Sequence, residues 1–103
     1  MHIEISYRDM SRSDAVDERV RSELDSSVGR FGERLTRVEV HLGDHNASKP
    51  GPNDKRCMIE ARPKGLDPVV VEAEGEDLYA TIADASGKLR RVLDRRFEKH
   101  DRH

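Results

Sequence analysis

The apolar side chains change their spacing in a set order along the chain, and that order constrains the fold more than any other feature. Ile3, Ile5 and Tyr7 alternate with polar residues, the two-residue period of a half-buried strand. Val16, Val20, Leu24, Val28, Phe31 and Leu35 then recur every three or four residues, which gives a helix one apolar stripe. Ser13 stands ready as its N-cap, and Asp14, Asp17 and Glu18 suit the positive end of its dipole. Gly29 and Gly32 each weaken a helix by about 1 kcal/mol relative to alanine, so its last turns are expected to fray or end early. Alternation returns at Thr36 to Leu42, at Lys55 to Arg62 and at Val69 to Glu74, with a Pro- and Gly-containing turn at Pro63 to Pro68. A second helical stripe, Leu78, Ile82, Ala85, Leu89, Val92 and Leu93, starts near Glu76 or Asp77. The order β-α-β-β-β-α predicts an α+β fold, a four-stranded sheet with two helices packed on one face.

One stretch interrupts the pattern. Residues 44–54 lack periodicity and are rich in Gly, Pro, Asn and Asp, so an extended loop is expected there. It exceeds the roughly 2–5 residues of an ordinary hairpin connection, which suggests mobility or a task. Residues 98–103 are expected to run past the sheet and fray.

A chain of 103 residues suits a single domain over 1–103. The sequence shows neither the long apolar run of a membrane span nor the basic-then-apolar start of a signal peptide. With one cysteine, Cys57, no internal disulfide forms, and a reducing cytoplasm is the expected location. Cys57 alternates with Ile59 and Ala61, as a buried structural thiol would. His41, His45, His100 and His103 have no zinc-ligand spacing, and no nucleophile–base pair or phosphate-binding glycine loop is present. The expectation is a protein that is not an enzyme, with no metal, cofactor, small-molecule substrate or membrane. The sequence leaves the oligomeric state open.

Charge is the second informative feature. The net charge of −2 hides an asymmetry: residues 1–87 balance to −6, and residues 88–103 balance to +4. Such a division gives the molecule a directional field that steers its basic end towards an anion. At 100° per residue, Lys88, Arg91, Arg95, Lys99 and Arg102 fall in one sector of the last helix, about 100° from the apolar stripe. Their spacing of about 5–6 Å matches the phosphates of a nucleic-acid strand. Cations near a helix C-terminus also suit its dipole, but that effect is confined to the last turn and does not account for Lys88. Arg90 lies outside the sector and joins the candidate contacts from the same helix. No sheet face offers exposed aromatics for stacking bases, so phosphate and shape recognition is favoured over base readout.

The run Ala73-Glu74-Gly75-Glu76-Asp77-Leu78-Tyr79-Ala80-Thr81-Ile82, followed by Lys88-Leu89-x-Arg91-x-Leu93, resembles the signature of the ribosome hibernation promoting factors. These are the ribosome-associated inhibitors, also called the sigma-54 modulation family. The likeness extends through Ser13, Val20, Leu24, Phe31 and Val38-Glu39-Val40, and omits the 44–54 loop and the tail. It implies the same β-α-β-β-β-α fold and binding to rRNA of the small ribosomal subunit, in the cleft for messenger RNA and tRNA anticodons. Occupying that cleft blocks initiation and preserves idle ribosomes under stress. Family members contact rRNA with basic residues on both helices. On the last helix those positions match Lys88, Arg91, Arg95 and Lys99.

The chain departs from that pattern on its first helix. Glu23 and Ser26 stand where members commonly place lysines, leaving Arg19, Arg30 and Arg34 as candidate cations there, with Arg19 spaced to pair with Glu23. The loop is longer than usual and carries Lys49, Lys55 and Arg56, and the chain resembles the short forms, which lack a C-terminal domain. Two other functions therefore stand beside ribosome binding: a protein-interaction module that uses the acidic first helix, and binding to RNA outside the ribosome.

Overall fold

The computed structural model describes residues 1–44 and 54–102. Strand β1 (His2–Arg8) leads into helix α1 (Asp14–Val28), followed by a 3-10 helix (Gly29–Arg34), β2 (Leu35–Asp44), β3 (Lys55–Pro63), β4 (Val69–Gly75) and helix α2 (Leu78–Asp101). The strands lie in chain order. β1 runs parallel to β2 with Ile5 opposite Val40, and β2–β3 and β3–β4 are antiparallel with Val40 opposite Ile59 and Ile59 opposite Val71. This is the α+β arrangement that the alternating and helical periods predict.

The period-two residues of β2, β3 and β4 bury Val38, Val40, Leu42, Cys57, Ile59, Ala61, Val69, Val71 and Ala73 on one face. Val16, Val20, Leu24 and Val28 of α1 and Ile82, Ala85, Leu89, Leu93 and Phe97 of α2 close over that face in the same core. The Cys57 thiol is fully buried, which pushes its pKa up to about 12. Two capping contacts define where the helices begin. Ser13 Oγ accepts from the Val16 amide (3.3 Å), and Asp77 Oδ2 accepts from the Ala80 amide (3.2 Å), each satisfying an N–H that the helix itself leaves unpaired. At the β3–β4 turn the Leu66 amide donates to the Pro63 carbonyl, and Gly65 takes φ +74°, the left-handed third position that a type II turn assigns to glycine.

Two boundaries differ from the periodicity. The first apolar stripe does not continue as one helix to Leu35: α1 stops at Val28, and Gly29–Arg34 tightens into a 3-10 helix. Phe31 therefore lies off the α-helix, and Leu35 is the first buried residue of β2. The two glycines that weaken the helix mark the change. At the other end, α2 runs to Asp101, with a contact described below at its last turn. Most of the expected 44–54 loop, including Lys49, lies outside the described residues, as do His45 and His103. At its edges, Asp44 ends β2 and buried Asp54 precedes β3, both paired with Lys55 Nζ at 2.7 and 3.2 Å.

Candidate nucleic-acid interface

The buried face of α2 fixes where its charges point. Thr81, Ile82, Ala85, Ser86, Leu89, Leu93 and Phe97 face the core, and Lys88, Arg90, Arg91, Arg95, Lys99 and Arg102 are exposed. The predicted row is therefore on the surface, but its members are not equivalent. Lys88 Nζ donates to the Glu72 carbonyl of β4 (2.8 Å), covering a backbone acceptor on the edge strand. Arg102 pairs with Glu98 one turn back (2.6 Å). Arg90, Arg91, Arg95 and Lys99 have no hydrogen bond or ion pair among the described residues. The middle of the row is thus the part without an internal partner among the described residues.

The three candidate cations from the first helical region are arranged differently. Arg30 and Arg34 belong to the 3-10 helix rather than to α1. Arg19 Nε donates to Glu23 (3.3 Å), as its spacing predicts, and its guanidinium lies 5.0 Å from the Tyr79 ring centroid. Arg30 pairs with Asp94 of α2. Arg34 makes two bonds to Asp101, at 3.0 and 2.9 Å, and lies 3.8 Å over the Phe97 ring. The hydrogen bond from Arg34 holds the Asp101 carboxyl below its ordinary range and raises the guanidinium's own pKa. These arginines tie the 3-10 helix and α1 to α2.

The ties give Arg19, Arg30 and Arg34 partners within the fold. They were not visible in the sequence, because Arg30–Asp94 and Arg34–Asp101 span 64 and 67 residues. Tyr79 was also missed. It is exposed on the first turn of α2, at 38% of its full area, and no sheet-face pattern would have found it. Elsewhere, the Tyr7 hydroxyl reaches the Ser13 carbonyl (3.0 Å) and Asp17 (2.7 Å), linking β1 to the start of α1. Burial, then the bond to Asp17, raises the Tyr7 pKa to about 12. Among the described residues, no group of three His, Cys, Asp or Glu side chains is placed to hold a metal ion, and no helix is long and apolar enough to cross a membrane.

Residues 3–101 match the family described as sigma 54 modulation protein / S30EA ribosomal protein. The chain belongs to this family. Its fold is similar to that of a ribosomal subunit interface protein from Coxiella burnetii, with a TM-score of 0.82 and 17% identity over 95% of this chain and 99% of that one. It is also similar to the N-terminal domain of Protein Y from Thermus thermophilus, with a TM-score of 0.72 and 25% identity over 92% of this chain and 98% of that one. No curated protein sequence matches it significantly. Family membership covers both helices, so the α2 row and the arginine ties lie on a shared framework.

Proposed function

We propose that this chain is a cytoplasmic, non-catalytic ribosome-associated factor. It docks on rRNA of the small subunit at the mRNA and tRNA decoding cleft, and it inhibits translation or stabilises idle ribosomes under stress. The observation that carries this reading is the set of unpaired, exposed cations Arg90, Arg91, Arg95 and Lys99 on one helix, in a protein whose remaining surface is net acidic. Cations without an internal partner lose no ion pair when they meet phosphate, so their whole electrostatic gain goes into binding. Family membership and the named relatives support a ribosomal partner.

The test is co-sedimentation with vacant small subunits at low salt. The protein is expected to travel with the subunits, to be released as salt rises, and to stay at the top of the gradient when Arg91, Arg95 and Lys99 are all changed to Glu. Unaltered protein remaining at the top at low salt would overturn the proposal.

A second reading is favoured by one observation: Arg19, Arg30 and Arg34 are all paired with carboxylates. The α1 surface then exposes Asp14, Glu18 and Asp25 beside Arg21, a mainly acidic face as in a protein-interaction module that has lost strong ribosome binding. Such a module would keep its partner after the triple charge reversal.

A further inference from the structure

We propose that Tyr79, backed by Arg19, is a stacking site for one unpaired nucleobase, so that the helix pair reads a base as well as phosphates. The inference rests on the RNA-binding reading given above and deepens it. Only three large hydrophobic side chains are exposed among the described residues, and Tyr79 is the one aromatic among them, the others being Met1 and Val70. The Arg19 guanidinium lies 5.0 Å from the centroid of the Tyr79 ring, and Arg19 is itself held by Glu23 at 3.3 Å. An aromatic ring flanked by a guanidinium offers a base both a π-face and a planar cation, the two groups that stack bases without regard to sequence.

The position along α2 is the second part of the case. Tyr79 stands eleven residues before Arg90, about 16 Å at 1.5 Å per residue. At 100° per residue Tyr79 and Arg90 lie about 20° apart on α2, and of the residues between them on that side Ser86 is buried and Ala83 is too small to obstruct a strand. A single strand with a phosphate on Arg90 therefore carries a base to Tyr79, while Arg91 and Arg95 face about 120° and 160° away from it around the helix. This surface lies on helices rather than on a sheet face.

The test uses single-stranded RNA of about ten nucleotides and the same backbone with every base removed, both at low salt. Natural RNA is expected to bind about 5- to 150-fold more tightly than abasic RNA, the range for loss of one stacked base. It should also quench tyrosine emission in the unaltered protein but not in Tyr79→Leu, where the second tyrosine, Tyr7, supplies the background. Tyr79→Phe should keep the preference for bases, whereas Tyr79→Leu should lose it and still bind the abasic backbone. Equal affinity for both RNAs with no quenching would overturn the stacking site and leave the phosphate reading standing. Binding of neither RNA would overturn both. A lower melting temperature for Tyr79→Leu, with affinity for both RNAs falling alike, would make Tyr79 a packing strut and also overturn the inference.

Discussion

Arg34 and Asp101 form a two-bond, side-by-side ion pair, at 3.0 and 2.9 Å, between the 3-10 helix and the last residue of α2. Paired bonds of this kind fix geometry as well as charge. This one sits over the Phe97 ring, so the end of α2 is anchored by a core aromatic and a surface contact together. Asp101→Asn is therefore expected to speed amide hydrogen exchange in the last turn of α2 and leave exchange around Leu89 unchanged. Equal protection of that turn in both proteins would show that Phe97 alone holds the end. The folded-state pKa of Asp101 is lowered, which fixes the sign of the pH effect. The contribution is complete above the ordinary aspartate value near 3.9 and disappears as pH falls through the lowered folded value. Protection of this turn should thus be lost under acid before that of the core.

The division between paired and unpaired cations gives a second prediction. Arg95→Ala is expected to weaken small-subunit association and to reduce the slope of log affinity against log salt by about 0.7–0.9, the loss of one phosphate contact. Arg30→Ala removes the tie to Asp94 and should leave that slope unchanged. Affinities measured at several salt concentrations distinguish the two. A comparable slope change for Arg30→Ala would mean that the tie opens on binding and frees Arg30 for RNA.

The fold was legible because each element carries a strong local signal. Ile59 sits midway along an alternating run, and Leu89 lies on a stripe of three- and four-residue steps, and both are fully buried. The break at Gly29 was legible as a weakness but not as a 3-10 helix, since the tight turn is settled by how Leu35 enters β2. The site was legible only in outline. The sequence places Arg91 and Arg95 on one face of α2, and helical geometry is enough for that. Whether a cation is free depends on partners distant in sequence: Lys88 is held by a carbonyl of β4 and Arg30 by Asp94, and local spacing contains neither fact.

Cys57 provides a probe of the core. Its sulfur is shielded by the sheet and helices, and burial pushes its pKa up to about 12, so almost no thiolate exists at neutral pH. Alkylation by iodoacetamide at pH 8 is expected to be slow and to follow the unfolding equilibrium as denaturant is added. Labelling at the rate of a free thiol without denaturant would contradict this burial. The raised value also sets an alkaline limit: this group's contribution to stability is complete below the ordinary thiol pKa and is lost as pH rises through it towards about 12.

The junction of β4 and α2 yields the last prediction. A Cβ on Gly75 would lie 2.6 Å from Thr81 Oγ1, and Thr81 is 1% exposed with its hydroxyl donating to the Asp77 carbonyl at 2.8 Å. Neither side has room to yield, because the hydroxyl is fixed by its bond and the glycine by its place at the end of the strand. Gly75→Ala should therefore destabilise the protein by about 1–3 kcal/mol, the usual cost of overpacking. Thr81→Ala alone should also destabilise, through the lost bond and methyl group. Combined, the two changes should cost less than their sum, because the smaller side chain at position 81 clears the space that the new methyl needs. A coupling of about 0.5–3 kcal/mol in a denaturation double-mutant cycle is the expected result for residues in contact. Additive effects would show that position 75 tolerates a side chain by moving its own backbone, leaving the start of α2 undisturbed.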